Sequence, residues 1–378
     1  MKISAVHAYV LEAPLSEPFA YSRAWYASRA SMIIRIETDQ GLIGWGESYG
    51  PAHINAGIVH NLAPFLIGQD PLRTEWIWQE LYARFRDHGQ KGSIIQAISG
   101  IDIALWDLKG KFFGQPIHRL MGGPLRTEVK AYATGLYRRE HGQPEQYLAE
   151  EAASYVEDGF SAVKLKVGFG VAEDTRITRA VRTAIGSDIG LMIDANHAYD
   201  VVAAVQLGRR VEEFDIGWFE EPVPPEDVAG HRDVRAKINI PIASGECEFT
   251  RYGFRELITT RAVDYLQPDT CSAGGLSECK KIADMAAAYG IRYAPHVWGS
   301  GIATAAALQL LAVLPSFTPP SLYRLEPMLE FDCTAHPVRE ALLSTPIKPQ
   351  NGIVAVPTGP GLGIEVDQRA IERFRIDV

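Results

Sequence analysis

The 378-residue chain is poor in the features that mark several large protein classes. It has only four cysteines, Cys247, Cys271, Cys279 and Cys333, with no CxxC pair and no zinc-module spacing. Neither a disulfide framework nor a structural zinc module is therefore expected, and the four read as reduced, mostly buried thiols. Basic residues are outnumbered, 37 Lys and Arg against 46 Asp and Glu. The formal charge of −9 argues against a nucleic-acid partner and against an anionic membrane surface. No apolar run approaches the ~20 residues of a membrane span. The first residues, MKISAVHAYVLEAPL, alternate apolar and polar positions and contain no signal-peptide core, so a cytoplasmic location is expected. No glycine-rich turn follows an early strand, which weakens the case for a doubly wound dinucleotide fold. No HxH pair lies on an early strand, as a metal-dependent hydrolase barrel would require.

The first third reads as α+β. ISAVHAYVLEAPL alternates as a strand, and ASMIIRIETDQGLIGWGE reads as a hairpin turning at TDQG. PLRTEWIWQELYARFRD and SIIQAISGIDIALWDLKGKFFG carry apolar residues at helical spacing, the second stopping at Gly114 before Pro116. From about residue 129 short apolar strands alternate with longer helical stretches. The candidates are VKAYATG, SAVKLKVG, IGLMIDAN, IGWFEEP, PIASGE, AVDYLQPD, IRYAPHVWG and SLYRLEP. They recur at the period of βα units in a parallel barrel. The Gly- and Pro-rich tail is expected to pack back on the first domain.

In such a barrel the C-terminal strand ends form the active face, and here those ends are charged. In strand order they carry Lys164 and Lys166, Asp194 and Asn196, Glu220 and Glu221, Glu246, Asp269, His296 and Glu326. Asp194, Glu220 and Glu246 come from adjacent strands, so their carboxylates can converge. Three ionised carboxylates together need a cation, and all-oxygen ligation suits Mg²⁺. Glu221 follows Glu220 directly, so extended-strand parity turns it to the other face, away from the ion's ligand set. Metal and Lys164 together should lower the pKa of Lys166 and make it a general base, while Lys164 holds a substrate oxygen. Asp269 can fix the tautomer of His296, leaving the other ring nitrogen for proton transfer. Parity directs His197 away from the substrate.

These residues resemble the enolase superfamily, and within it the mandelate racemase subgroup. The resemblance is carried by GIDIALWDLKGKFFGQP, the KLK of the second barrel strand, MIDAN, WFEEP, SGE, LQPD, APHVWG and PGLGIEVD, and it covers nearly the whole chain. It implies a modified TIM barrel, (β/α)₇β, at 126–349, under an α+β capping domain at 1–125 that the tail 350–378 joins. It implies Asp194, Glu220 and Glu246 as Mg²⁺ ligands, the Lys164/Lys166 pair with Lys166 as base, the His296–Asp269 dyad, and Asn196 and Glu326 at the substrate. A homo-oligomer, from dimer to octamer, is also implied. DTCSAGG after the sixth strand holds no lysine, which sets the chain apart from the muconate-lactonising and dipeptide-epimerase branches.

The shared step of this chemistry is removal of a proton α to a carboxylate, giving an enediolate. Return of a proton to the same carbon racemises or epimerises a 2-hydroxy acid, and donation to a β-hydroxyl dehydrates. A lactone oxygen at the β position leaves without an acid, and the ring opens as an isomerisation. GIDIALWDLKGK, MIDANHAY, WFEEPV, APHVWGSG and LEPMLEFD are most similar to acid-sugar lactone cycloisomerases and acid-sugar dehydratases. The cap stretches FAYSRAWYASRA and ESYGPAH add Arg23, Arg29 and His53, donors that suit a polyhydroxylated or diacid substrate. The expected activity is therefore Mg²⁺-dependent lyase or isomerase chemistry on a sugar acid or its lactone. The alternatives are a 2-hydroxy-acid racemase and a barrel that binds a sugar acid without turning it over.

Overall fold

Alternation at the N terminus becomes a long antiparallel meander: β1 (Ile3–Ala20), β2 (Trp25–Thr38) and β3 (Ile43–Ser48). The computed structural model describes residues 1–317 and 325–377. The β2–β3 turn falls at TDQG, where Gly41 has φ +78° and its N–H bonds the Thr38 carbonyl. The cap stretch FAYSRAWYASRA is mostly strand: Phe19 pairs with Tyr26 and Ala20 with Trp25, leaving only Tyr21–Ala24 as the tip. Helices Ala52–Leu66, Thr74–Phe85 and Ser93–Phe113 cover one face and bury Leu62, Trp78 and Ile101 with Ile34 and Ile36. The third helix ends, as expected, with Gly114 in the left-handed region. Two glycines of GLIGWGE let it approach β3, since a Cβ on Gly46 would lie 2.0 Å from the Gly100 carbonyl oxygen.

The second sheet begins with β4 (Glu128–Thr134). β5 (Arg138–Arg139) leaves it to pair with the end of β1. Then come β6 (Ala162–Lys166), β7 (Gly190–Asp194), β8 (Ile216–Glu220), β9 (Ile242–Ser244), β10 (Tyr265–Leu266), β11 (Arg292–Tyr293) and β12 (Leu329–Asp332). Their order is β11-β10-β9-β8-β7-β6-β4-β12, all parallel, curled as in a (β/α)₇β barrel with helices between successive strands. β13 (Ile353–Ala355) runs antiparallel beside β4, and β14 (Arg375–Ile376) joins the edge of β1, so the tail returns to the cap. Among the described residues no helix is long and apolar enough to cross a membrane.

The eighth barrel strand requires a correction. SLYRLEP falls largely outside the described residues, and the strand is LEFD, beginning after Pro327. Proline has no N–H for a ladder, so pairing with β4 starts only beyond it, at Leu329–Ala131.

Cap and barrel meet through Asp102 on the helix Ser93–Phe113. Its buried carboxylate accepts bonds from the Ser277 backbone N–H (2.9 Å) and Oγ (2.7 Å), at the start of a barrel helix. Burial pushes its pKa up to about 7. Between the ordinary value near 4 and this one, the folded chain holds a proton that the unfolded chain releases. Stability therefore declines as pH rises through that window, by at most about 1.4 kcal/mol per unit from this group. Asp102→Asn should flatten the decline between pH 5 and 7. Denaturant midpoints that fall equally with pH in variant and parent would show that Asp102 does not set it.

Candidate active site

Parallel pairing sets the C-terminal ends of β6, β7, β8 and β9 side by side, with Lys166 opposite Asp194 and Asp194 opposite Glu220. Oxygens of Asp194, Glu220 and Glu246 lie within 4.8 Å of one another. Each is oriented by neighbours. The Asn196 backbone N–H holds Asp194 Oδ1 at 2.8 Å, while Trp218 and Gln267 donate to Glu220 Oε2 at 2.9 and 2.6 Å. Glu246 is the least committed, receiving one long bond from Asn196 (3.5 Å). An all-oxygen trio with open directions fits a hard divalent cation.

The lysines answer the carboxylates. Lys166 Nζ donates to Asp194 Oδ2 at 2.5 Å and to Asn196 Oδ1 at 3.1 Å. Burial acts to lower its pKa, but Asp194 outweighs burial and Lys164, and the value is raised; the lowering expected above depends on the added charge of a bound metal. Lys164 is fully buried and does not line the cavity, so it is not placed to hold a substrate oxygen. Its ammonium instead lies 2.5 Å from Glu220 Oε1 and 2.8 Å from Glu330 Oε1. Those two carboxylates overcome the burial penalty and raise its pKa.

His296 Nδ1 is 2.7 Å from Asp269 Oδ2, and its Nε2 is 3.7 Å from Glu246. Burial opposes protonation, but Glu246 and Asp269 push the imidazole pKa up to about 10. Among the described residues, Asp194, Glu220, Glu246, Asp269 and Glu330 are answered by Lys164, Lys166 and His296, and Glu221 has only the His197 ring at 3.9 Å. That surplus of negative charge in a buried site favours binding a cation.

A cavity of about 280 Å³ opens above this floor. Lys166, Asn196, Glu246, His296 and Glu330 line it from the barrel, and Tyr26, Tyr49 and Gln96 reach it from the cap. The Tyr49 ring packs 5.1 Å from that of His296. The cap tyrosines and Trp298 were not foreseen, because which cap side chains reach the barrel is decided by docking of the two units and not by local pattern.

Four further expectations are corrected. Glu326 is partly exposed and lies 3.8 Å from Arg126, outside the cavity. The strand-eight carboxylate at the site is Glu330, which accepts from Thr134 Oγ1 (2.6 Å) and from the Val297 N–H (3.0 Å). His53 is exposed on the first cap helix and does not line the cavity. Arg29 is buried: it bonds Asp332 (2.9 Å) and Thr334 (2.8 Å) and stacks 3.8 Å from the Trp298 ring, so it braces the cavity wall. His197 does line the cavity, and the Arg23 guanidinium donates to its Nδ1 at 2.9 Å. Parity fails there because Asn196 and His197 have φ of +45° and +52°, so the chain is no longer extended after Asp194.

The two glutamates give a direct comparison. Glu330→Gln removes the charge opposite buried Lys164 and should cost about 3 kcal/mol of stability along with most of the activity. Glu326→Gln weakens a long 3.8 Å pair whose carboxylate is exposed, and should change stability by no more than about 1 kcal/mol. Equal effects in denaturation and turnover assays would reverse the assignment.

Residues 147–370 match the family model described as enolase C-terminal domain-like. Residues 5–122 match the mandelate racemase / muconate lactonizing enzyme N-terminal domain. The chain is 48% identical over 376 residues to a D-galactarolactone cycloisomerase of Agrobacterium fabrum, covering 100% of this chain and 99% of that one. It is 35% identical over 344 residues to an arabinonate dehydratase of Saccharolobus solfataricus, covering 90% and 89%. Among solved structures, the 3,6-anhydro-D-galactonate cycloisomerase of Zobellia galactanivorans superposes with a TM-score of 0.90 at 41% identity, covering 100% of both chains.

Proposed function

The chain belongs to the mandelate racemase / muconate lactonizing enzyme family of the enolase superfamily, and on that premise we propose that it is a Mg²⁺-dependent cycloisomerase opening the lactone of a sugar diacid. The observation that carries this reading is one cavity lined by both Lys166 and His296 over the trio Asp194, Glu220 and Glu246. When bound at that trio, a divalent ion supplies positive charge against the negative charge that builds on the substrate carboxylate.

The protein's own groups do the rest. Lys166 takes the α-proton on its side of the cavity. It can do so only as a neutral amine, so its ion pair with Asp194 must give way before turnover. Lys164 keeps Glu220 and Glu330 in place from below. Tyr26, Tyr49 and Trp298 exclude water and shape the substrate's distal end. A lactone oxygen β to the abstracted proton leaves as a carboxylate, so ring opening needs no acid. The intact His296–Asp269 pair favours a second reading, dehydration of a free sugar acid, in which His296 protonates a departing β-hydroxyl.

Incubating the Mg²⁺-loaded enzyme with acid-sugar lactones and the free acids separates the two. Ring opening gives a product of unchanged mass from the lactone, and dehydration gives a product one water lighter from the acid. Inertness toward both groups, with bound ligand shown by calorimetry, would leave a binding barrel.

A further inference from the structure

The strand ends that supply Asp194, Glu220 and Glu246 carry a second set of ligand-bearing side chains: His197, Glu221 and Cys247. One ligand atom of each lies within 4.8 Å of the other two. The set is held by its backbone, since the His197 N–H bonds the Glu221 carbonyl at 2.8 Å and the Glu221 N–H bonds that of Ala243 at 2.9 Å. Glu221, with φ +42°, has left the extended conformation, so its side chain does not point to the opposite face as strand parity predicts.

The independent observation is Glu221 itself. Its carboxylate is buried, at 1% exposure, and neither oxygen has a nitrogen or oxygen hydrogen-bond donor among the described residues. The polar groups that face it are the Cys247 thiol, the His197 ring (Nε2 at 3.9 Å) and the carboxylates of Asp194, Glu220 and Glu246. Buried carboxylates ordinarily have a cation or several donors, and this one has the Cys247 thiol alone.

We propose that His197, Glu221 and Cys247 form a second metal site beside the all-oxygen trio, one that selects Zn²⁺ over Mg²⁺. Imidazole, thiolate and carboxylate are the usual donors to Zn²⁺, at 2.0–2.3 Å in a tetrahedron, whereas Mg²⁺ rejects sulfur. His197 and Cys247 both line the cavity, which leaves the fourth position open to water. Binding releases the thiol proton to solvent. It also has a cost at the cap. Arg23 can only donate, so Nδ1 of His197 is the acceptor and the neutral ring carries its hydrogen on Nε2. Ligation through Nε2, the nitrogen facing Glu221, moves that hydrogen to Nδ1 and breaks the bond to Arg23. Zinc therefore loosens the cap tip from the barrel.

The test uses the full chain in excess Mg²⁺ with Co²⁺ as the spectroscopic probe. The expected result is one equivalent of Co²⁺ bound with Mg²⁺ retained, a thiolate-to-cobalt charge-transfer band in the near ultraviolet, and loss of that band on adding Zn²⁺. Cys247→Ser should abolish the band, and His197→Gln should weaken Co²⁺ binding at least tenfold. Arg23→Ala should tighten it. Co²⁺ that binds only by displacing Mg²⁺, with no charge-transfer band, overturns the proposal, as does a band that persists in Cys247→Ser. If Cys247→Ser does not fold, zinc-edge anomalous scattering from parent crystals soaked in both metals decides. A peak among the three side chains supports the site, and a peak only at Asp194, Glu220 and Glu246 overturns it. Neither result depends on which substrate the enzyme turns over.

Discussion

Lys166→Met should reduce turnover by about 10²–10⁴-fold, the span attributed to a positioned general base, while leaving substrate affinity close to that of the parent. Methionine keeps the unbranched stem and removes only the ammonium. Among the described residues Lys166 is the one lysine lining the cavity, and its neighbour two residues earlier is sealed beneath Glu220 and Glu330. No other amine can replace it on that wall. The substitution also leaves Asp194 without its 2.5 Å partner. Without metal the variant should therefore be less stable than the parent, and Mg²⁺ should restore most of the difference, since in the proposed site the cation and the ammonium share the Asp194 carboxylate. Thermal unfolding with and without Mg²⁺ checks this separately from catalysis. Turnover near the parent rate would remove Lys166 from the chemistry.

Glu246→Gln should weaken Mg²⁺ binding by at least about 100-fold, beyond the 10–100-fold typical of residues one shell out from a metal. Asp194 and Glu220 are tied into the floor by Lys166, Lys164, Trp218 and Gln267, so changing either disturbs the fold as well as the site. Glu246 makes one long bond to Asn196 and lies near His296, so its replacement isolates metal binding. Removing one of several crowded negative charges should leave the metal-free protein no less stable, since the amide keeps the shape of the side chain. Turnover should fall in step with occupancy and recover partly at high Mg²⁺. Unchanged affinity by calorimetry would mean that another group is the third ligand.

Much of this was legible in the sequence, for reasons that also explain what was not. Strands covered on both faces read as continuous apolar runs, so β4 and β6–β11 stood out, and charge at their ends stood out against them. Asp194, Glu220 and Glu246 could be grouped because adjacent parallel strands end together. The eighth strand misled because Leu-Glu occurs twice, in RLEP and MLEF, and only the proline distinguishes them. His197 and Glu221 were misdirected because parity assumes an extended chain, and both residues lie where φ is positive. Arg29 reads in the sequence as a cap donor suited to a polyhydroxylated or diacid substrate. Its burial against Asp332 and Trp298 follows from the cap resting on the barrel, which no local pattern encodes.

The central claim is that a cation at Asp194, Glu220 and Glu246 enables Lys166 to remove an α-proton. It is tested most directly with a sugar-acid analogue whose β-oxygen is replaced by hydrogen, so that nothing can follow abstraction. In D₂O with Mg²⁺, proton NMR should show the α-signal vanishing with the parent enzyme and persisting with Lys166→Met or after chelation. Retention of that signal by the parent while the analogue is bound, or equal loss without metal, would contradict the account.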